Sequence, residues 1–161
     1  MDLKQNNLQG ASSQPFRRVV TGVNQSGQST IMSDGPVPDA ASLIAPGQAS
    51  GSDLWMEKSV PANLIDHSDP MANYSTQSWP PPGGVIARVM KWEPGYSYPM
   101  HRSDTVDILF IISGQLELLL EDGSAVLTSG DCVVQRGTNH AWRVVGEEPC
   151  TFTAVLLSAV S

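Results

Sequence analysis

Gly95-Tyr96-Ser97-Tyr98-Pro99-Met100-His101-Arg102-Ser103-Asp104-Thr105-Val106-Asp107-Ile108-Leu109-Phe110-Ile111-Ile112-Ser113-Gly114 is the stretch from which the fold can be read. Its second half, residues 107–112, is a β-prone run closed by a Ser-Gly turn. The next segment, 115–121, alternates: Leu116, Leu118 and Leu120 share one face while Glu117 and Glu121 take the other. Period two is the mark of a half-buried strand. Asp122-Gly123 then supplies a tight hairpin turn. Upstream, Val85–Trp92 reads as a strand stopped by Glu93-Pro94-Gly95, and downstream 125–127, 132–135, 141–145 and 151–157 follow at close spacing. Six or seven short strands with no helical period predict an all-β fold, an antiparallel barrel or jelly roll.

The remainder of the chain is less regular. Residues 1–15 are polar and read as a flexible tail, because such a composition cannot offset the entropy of ordering. Residues 16–84 are expected to hold N-terminal strands and long loops, and 85–161 the barrel core, all within a single domain. A hairpin is predicted over 18–31, with turn chemistry at 24–27. Residues 33–53 read as a long surface loop, and 54–60 as a second short strand. Trp79 precedes three prolines and two glycines, where helix and sheet interior are both excluded; it either covers one end of the barrel or packs on the surface.

Composition narrows the function. The 161 residues carry a net charge of −7, and the only adjacent basic pair is Arg17-Arg18. That balance argues against a nucleic-acid binder, which needs clustered Lys and Arg. No run approaches the roughly 18–20 apolar residues of a membrane span, and the first fifteen lack the apolar core of a secretory signal, so the expected compartment is the cytoplasm. Cys132 and Cys150 are too few for a disulfide framework and are expected to be small buried hydrophobes.

The chemistry-bearing residues fall in two places. Five residues separate Gly95 from His101; Ser103 and Asp107 follow, with six residues between Asp107 and Gly114. Then Gly130-Asp131 opens a short apolar strand that leads through Gln135-Arg136-Gly137-Thr138-Asn139 to His140. Together these resemble the two motifs of the cupin superfamily, and the likeness runs over residues 85–157. In metal-binding cupins the first motif supplies His-x-His and then a Glu, and the second supplies one more His. Carried over residue by residue, His101 and His140 match the first and last histidines, and Asp107 falls where the Glu would be. Ser103 stands in place of the second His, and serine is a poor metal ligand. The usual Pro of the second motif is absent, with Gln135 and Arg136 in its region, and Val144 replaces a common Asn.

The resemblance therefore implies two alternatives. His101, Asp107 and His140 hold one divalent metal (Fe, Zn, Mn or Ni) as two imidazoles and a carboxylate, or the site is metal-free and the same groups do acid–base work. Asp104 could replace Asp107, although beside Ser103 it should point the other way along a regular strand. Arg88 interrupts an apolar strand and either clamps a substrate oxygen from inside the barrel or faces outward as a surface charge. Tyr98, Ser103 and Trp142 complete the candidate substrate-binding set, Trp142 sharing the face of His140 by the two-residue period. Arg102, Arg143 and the loop residue His67 are expected at the surface.

The resemblance to small stand-alone cupins further implies a small-molecule enzyme of specialised or aromatic metabolism, a lyase or isomerase (dehydration, decarboxylation or tautomerisation) acting on a small organic substrate. A non-haem metal-dependent dioxygenase and a non-catalytic ligand-binding protein are the alternatives. Small cupins pair by sheet edges, so a homodimer is expected, with the hairpin at 18–31 as the edge element.

Overall fold

The computed structural model describes residues 16–37, 42–45 and 47–160; the predicted tail at 1–15 lies outside them. Among the described residues twelve strands form in chain order: β1 (Arg17–Val23), β2 (Ser29–Pro36), β3 (Ser42–Ala45), β4 (Ala49–Glu57), β5 (Val85–Trp92), β6 (Ser97–His101), β7 (Thr105–Ser113), β8 (Gln115–Leu120), β9 (Ser124–Thr128), β10 (Cys132–Arg136), β11 (His140–Val145) and β12 (Cys150–Ser158). Among the described residues no helix is long and apolar enough to cross a membrane.

Two antiparallel sheets face one another. One has six strands in the order β10-β7-β12-β5-β4-β3, the other four in the order β6-β11-β8-β9. Alternation drives the packing: Leu116 and Leu118 of β8, Trp142 and Val144 of β11, Leu109 and Ile111 of β7, and Phe152, Ala154 and Leu156 of β12 all turn into one core. This is the all-β jelly roll predicted from the strand spacing. Leu120 shares that face, opposite His140 in the ladder, but is 39% exposed at the end of β8. Gly114 closes the β7–β8 corner at φ 75°, with the Pro149 carbonyl oxygen 2.4 Å from where a Cβ would sit, so a side chain there would need backbone to move.

The N-terminal half is more ordered than its composition suggests. Residues 33–53, read as a loop, contain the end of β2, all of β3 and the start of β4. Val85–Trp92 pairs with β4 along its length, from Ala49 opposite Trp92 to Glu57 opposite Val85. Ala, Ser and Gly are weak strand formers, so the pairing is imposed by the neighbouring strand. Their small size also matters: a Cβ on Gly51 would meet Met90 Sδ at 2.4 Å and the Val89 carbonyl at 2.7 Å. A second cluster of Val37, Met56, Met71, Tyr74 and Ile86 seals this side of the molecule.

The predicted N-terminal hairpin forms, its turn held by Asn24, whose side-chain oxygen accepts from the Ser26 and Gln28 amides at 2.9 and 3.0 Å. It is a separate two-stranded sheet and not an edge of either large one. Arg18 anchors it, donating to Asp69 and to the Leu54 carbonyl while lying over the Trp55 ring. Cys150 is buried as expected, but Cys132 is exposed, since it stands on the edge strand β10 facing outward.

Candidate active site

The two histidines meet because of strand register. In the β11–β6 ladder His140 is paired with His101, and side chains opposite one another across an antiparallel ladder lie in contact. Their ring centroids are 4.2 Å apart at 53°. Both line a cavity of about 300 Å³ between the sheets.

Each ring has its orientation set by the backbone. Nδ1 of His101 lies 2.9 Å from the Pro99 carbonyl, and Nδ1 of His140 lies 2.9 Å from the Thr138 carbonyl. A carbonyl only accepts, so both Nδ1 atoms carry the proton, and Nε2 is the nitrogen left for chemistry. The loop before His140 is itself tied down: Gln135, 3% exposed, donates through its amide to the Thr138 carbonyl at 3.2 Å. The residue in the region of the family's usual proline thus steadies the same loop by a hydrogen bond.

Asp107 enters from β7 and is buried in the cavity wall, 7% exposed. Burial pushes its carboxyl above the ordinary Asp range, with Thr105 and the nearby His140, Arg88 and His101 pulling the other way. Desolvation also pushes His140 below the usual imidazole value, so the neutral ring is favoured. Asp104 is exposed, and Asp107 is the carboxyl that faces the cavity.

The candidate binding residues divide. Trp142 is 5% exposed and meets His140 edge-on at 5.6 Å; Tyr98, 40% exposed, meets His101 edge-on at 4.7 Å. Both line the cavity, as does Arg88. The surface reading of Arg88 fails: its guanidinium turns inward, with Nε 3.0 Å from Asp53 Oδ1 and a second nitrogen donating to the Gln77 carbonyl at 2.9 Å. Ser103 is buried away from the cavity lining, its hydroxyl accepting from Thr105 at 2.8 Å; with that bond made inside the wall, it is not placed to hold substrate. Arg102, Arg143 and His67 are exposed, as expected.

Several site residues lie where the sequence offered no motif. Asp53 of β4 is fully buried, and Tyr74 donates to its Oδ2 at 2.9 Å. Burial pushes the Asp53 carboxyl up against the opposing pull of Arg88, and pushes the Tyr74 hydroxyl up to about 12. The segment carrying Gln77 and Trp79 roofs the cavity, and Trp79 stacks over His101 at 6.2 Å. Of the two readings open for Trp79, it covers the mouth. An Asp inside a strand of small residues is the one signal that pointed to Asp53, and it is weak.

The fit of a metal can be tested on the donor set. Among the described residues no three His, Cys, Asp or Glu side chains converge closely enough to share a cation. The two imidazoles pack ring against ring, and Ser103, in place of a third, is turned to Thr105. A three-ligand centre of His101, Asp107 and His140 does not fit this arrangement of side chains.

Two facing sheets with paired histidines from two glycine-bounded motifs define a cupin. The cupin domain family matches residues 88–156, and the chain belongs to the cupin superfamily. It is 34% identical to a phomopsin biosynthesis cluster protein of Diaporthe leptostromiformis, over 78% of this chain and 69% of that one. It is 30% identical to a cupin-domain-containing oxidoreductase of Neurospora crassa, over 78% of this chain and 64% of that one. Among solved structures, the Cnp3 cupin domain of Schizosaccharomyces pombe superposes with a TM-score of 0.53 at 10% identity, covering 88% and 87% of the two chains. That last likeness is one of fold alone.

Proposed function

We propose that this chain is a small-molecule enzyme of specialised metabolism that moves protons on an oxygenated organic substrate, as a lyase or isomerase. The observation that carries the reading is the histidine pair: two imidazoles, each with Nδ1–H spent on a backbone carbonyl, line one cavity at a centroid distance of 4.2 Å. His140, kept neutral by burial, accepts a proton through Nε2; His101, nearer the mouth under Trp79, delivers one from Nε2 after taking up a second proton from solvent. Trp142 and Phe152 give the substrate apolar walls. The Diaporthe relative's place in a biosynthesis cluster supports a role in specialised metabolism.

The test uses two probes, tautomer exchange of phenylpyruvate in D₂O and decarboxylation of benzoylacetate, followed by NMR. Wild-type protein should accelerate at least one, and His101→Gln or His140→Gln should each lower that rate by about 10²–10⁴-fold while leaving the fold intact. Acceleration of neither, or variants as fast as wild type, would sink the acid–base reading.

A second reading, a redox enzyme, is favoured by the name of the Neurospora relative. It needs His101, His140 and Asp107 to draw together around a cation such as Fe, Zn, Mn or Ni. Elemental analysis of untagged protein, together with oxygen uptake that depends on added iron, would decide for it. A homodimer in the cytoplasm belongs to the same proposal; a light-scattering mass equal to one chain would remove the dimer.

A further inference from the structure

Four buried side-chain atoms have no hydrogen-bond partner among the described residues: Asp53 Oδ1, Arg88 Nε, Trp92 Nε1 and Asp107 Oδ1. The first two face one another as an ion pair at 3.0 Å. Neither of the other two atoms has a hydrogen-bond partner: the burial of Asp107 is offset only by the pull of Thr105 and of the nearby His140, Arg88 and His101, that of the Trp92 N–H by nothing comparable, and both residues line the cavity. Each is more than nine-tenths buried: Trp92 is 7% exposed and so is Asp107. A buried polar group without a partner is costly, and native proteins rarely keep one unless something else satisfies it.

The two atoms are complementary in kind. The indole N–H of Trp92 can only donate, and the free oxygen of Asp107 in its ionised form can only accept. Trp92 is also held rigidly, meeting Tyr96 and Phe152 edge-on at 4.9 Å and stacking with Tyr98 at 6.2 Å. Its donor therefore has a fixed direction. Between Trp92 and the histidines the walls are aromatic, which suits a flat conjugated ligand.

We infer that Trp92 is a specificity-determining residue: its indole N–H donates to a carbonyl or enolate oxygen of the substrate, while Asp107 accepts from a hydroxyl elsewhere on the same molecule. The substrate class is thus a flat, conjugated hydroxy-carbonyl compound. The assignment rests on the reading of this cavity as the substrate site. In that pose the oxygen bound by Trp92 is the one on which charge builds as a neighbouring carbon loses its proton, so a fixed donor there also favours the reaction.

The experiment is equilibrium calorimetry on the whole protein with three probes of similar size. 4-Hydroxyacetophenone carries both groups, 4-ethylphenol lacks the carbonyl, and acetophenone lacks the hydroxyl. Wild-type protein should bind the first at least about tenfold more tightly than either other, as expected when a missing group strands a buried partner. Trp92→Phe should abolish the preference over 4-ethylphenol and keep the preference over acetophenone. Equal binding of the three by wild type, no binding of any, or a Trp92→Phe protein that still prefers the carbonyl would overturn the assignment. The wild-type comparison stands even where Trp92→Phe does not fold. Calorimetry reads binding without turnover, so these ratios can hold when the acid–base tests fail, and can fail when those succeed.

Discussion

Asp53 and Asp107 are both carboxyls buried by the six-stranded sheet, and burial pushes both above the ordinary range. Their surroundings are opposite. Asp53 is paired at both oxygens, one in an ion pair with Arg88 Nε at 3.0 Å and the other accepting from the Tyr74 hydroxyl at 2.9 Å. Asp107 keeps one oxygen without a partner in the wall of the cavity. A satisfied buried charge holds structure together; an unsatisfied one beside a cavity is kept for something that enters. Arg88 connects the two, because the guanidinium that neutralises Asp53 also ties the Gln77 carbonyl and hence the roof that carries Trp79.

Removing each carboxyl tests the contrast. Asp53→Ala strands the inward-turned Arg88 and should lower stability by about 3–5 kcal/mol, as loss of one member of a buried pair does. Urea unfolding measures it, and a loss under about 1 kcal/mol would show that water reaches and satisfies Arg88. Asp107→Asn should leave the unfolding midpoint at neutral pH unchanged or raise it, while lowering affinity for hydroxylated probes. The sign follows from linkage. With its folded pKa raised, Asp107 contributes stability below its unfolded value, and that contribution is lost as pH climbs through the folded one. The wild-type advantage over Asp107→Asn should therefore shrink as pH rises through the acid range, and an advantage that grew would refute the burial argument.

The smallest effect belongs to His140. Its folded pKa is depressed, so its contribution is present above the ordinary imidazole value and is lost as pH falls through the folded one. The wild type should lose stability on acidification below about pH 6.5 more steeply than His140→Gln. Parallel pH profiles for the two proteins would mean that the ring is not desolvated.

The legibility of the sequence followed the same divide. His101, His140 and Asp107 stand in motifs bounded by glycines and regular strands; the ladder that pairs His140 with His101 brings the histidines together, and Asp107 reaches the same cavity from β7 of the other sheet. Arg88 was ambiguous, because strand period gives a side chain a face but not a partner. Its partner, Asp53, lies thirty-five positions earlier in a segment with little β-propensity of its own. Ser103 was misleading for a related reason: motif position placed it at the site, while a bond to Thr105 turned it into the wall.

By itself, then, the sequence determined the β-architecture, because period-two alternation and turn glycines are local and act on neighbouring residues, while the histidine pair was picked out by the resemblance of its two motifs to those of cupins. Tertiary structure alone decided what surrounds that pair: β4 laid along β5, the Asp53–Arg88 ion pair, the roof under Trp79, and the unpartnered groups of Trp92 and Asp107. Those features depend on contacts between residues far apart in the chain, whose formation and burial no local pattern records.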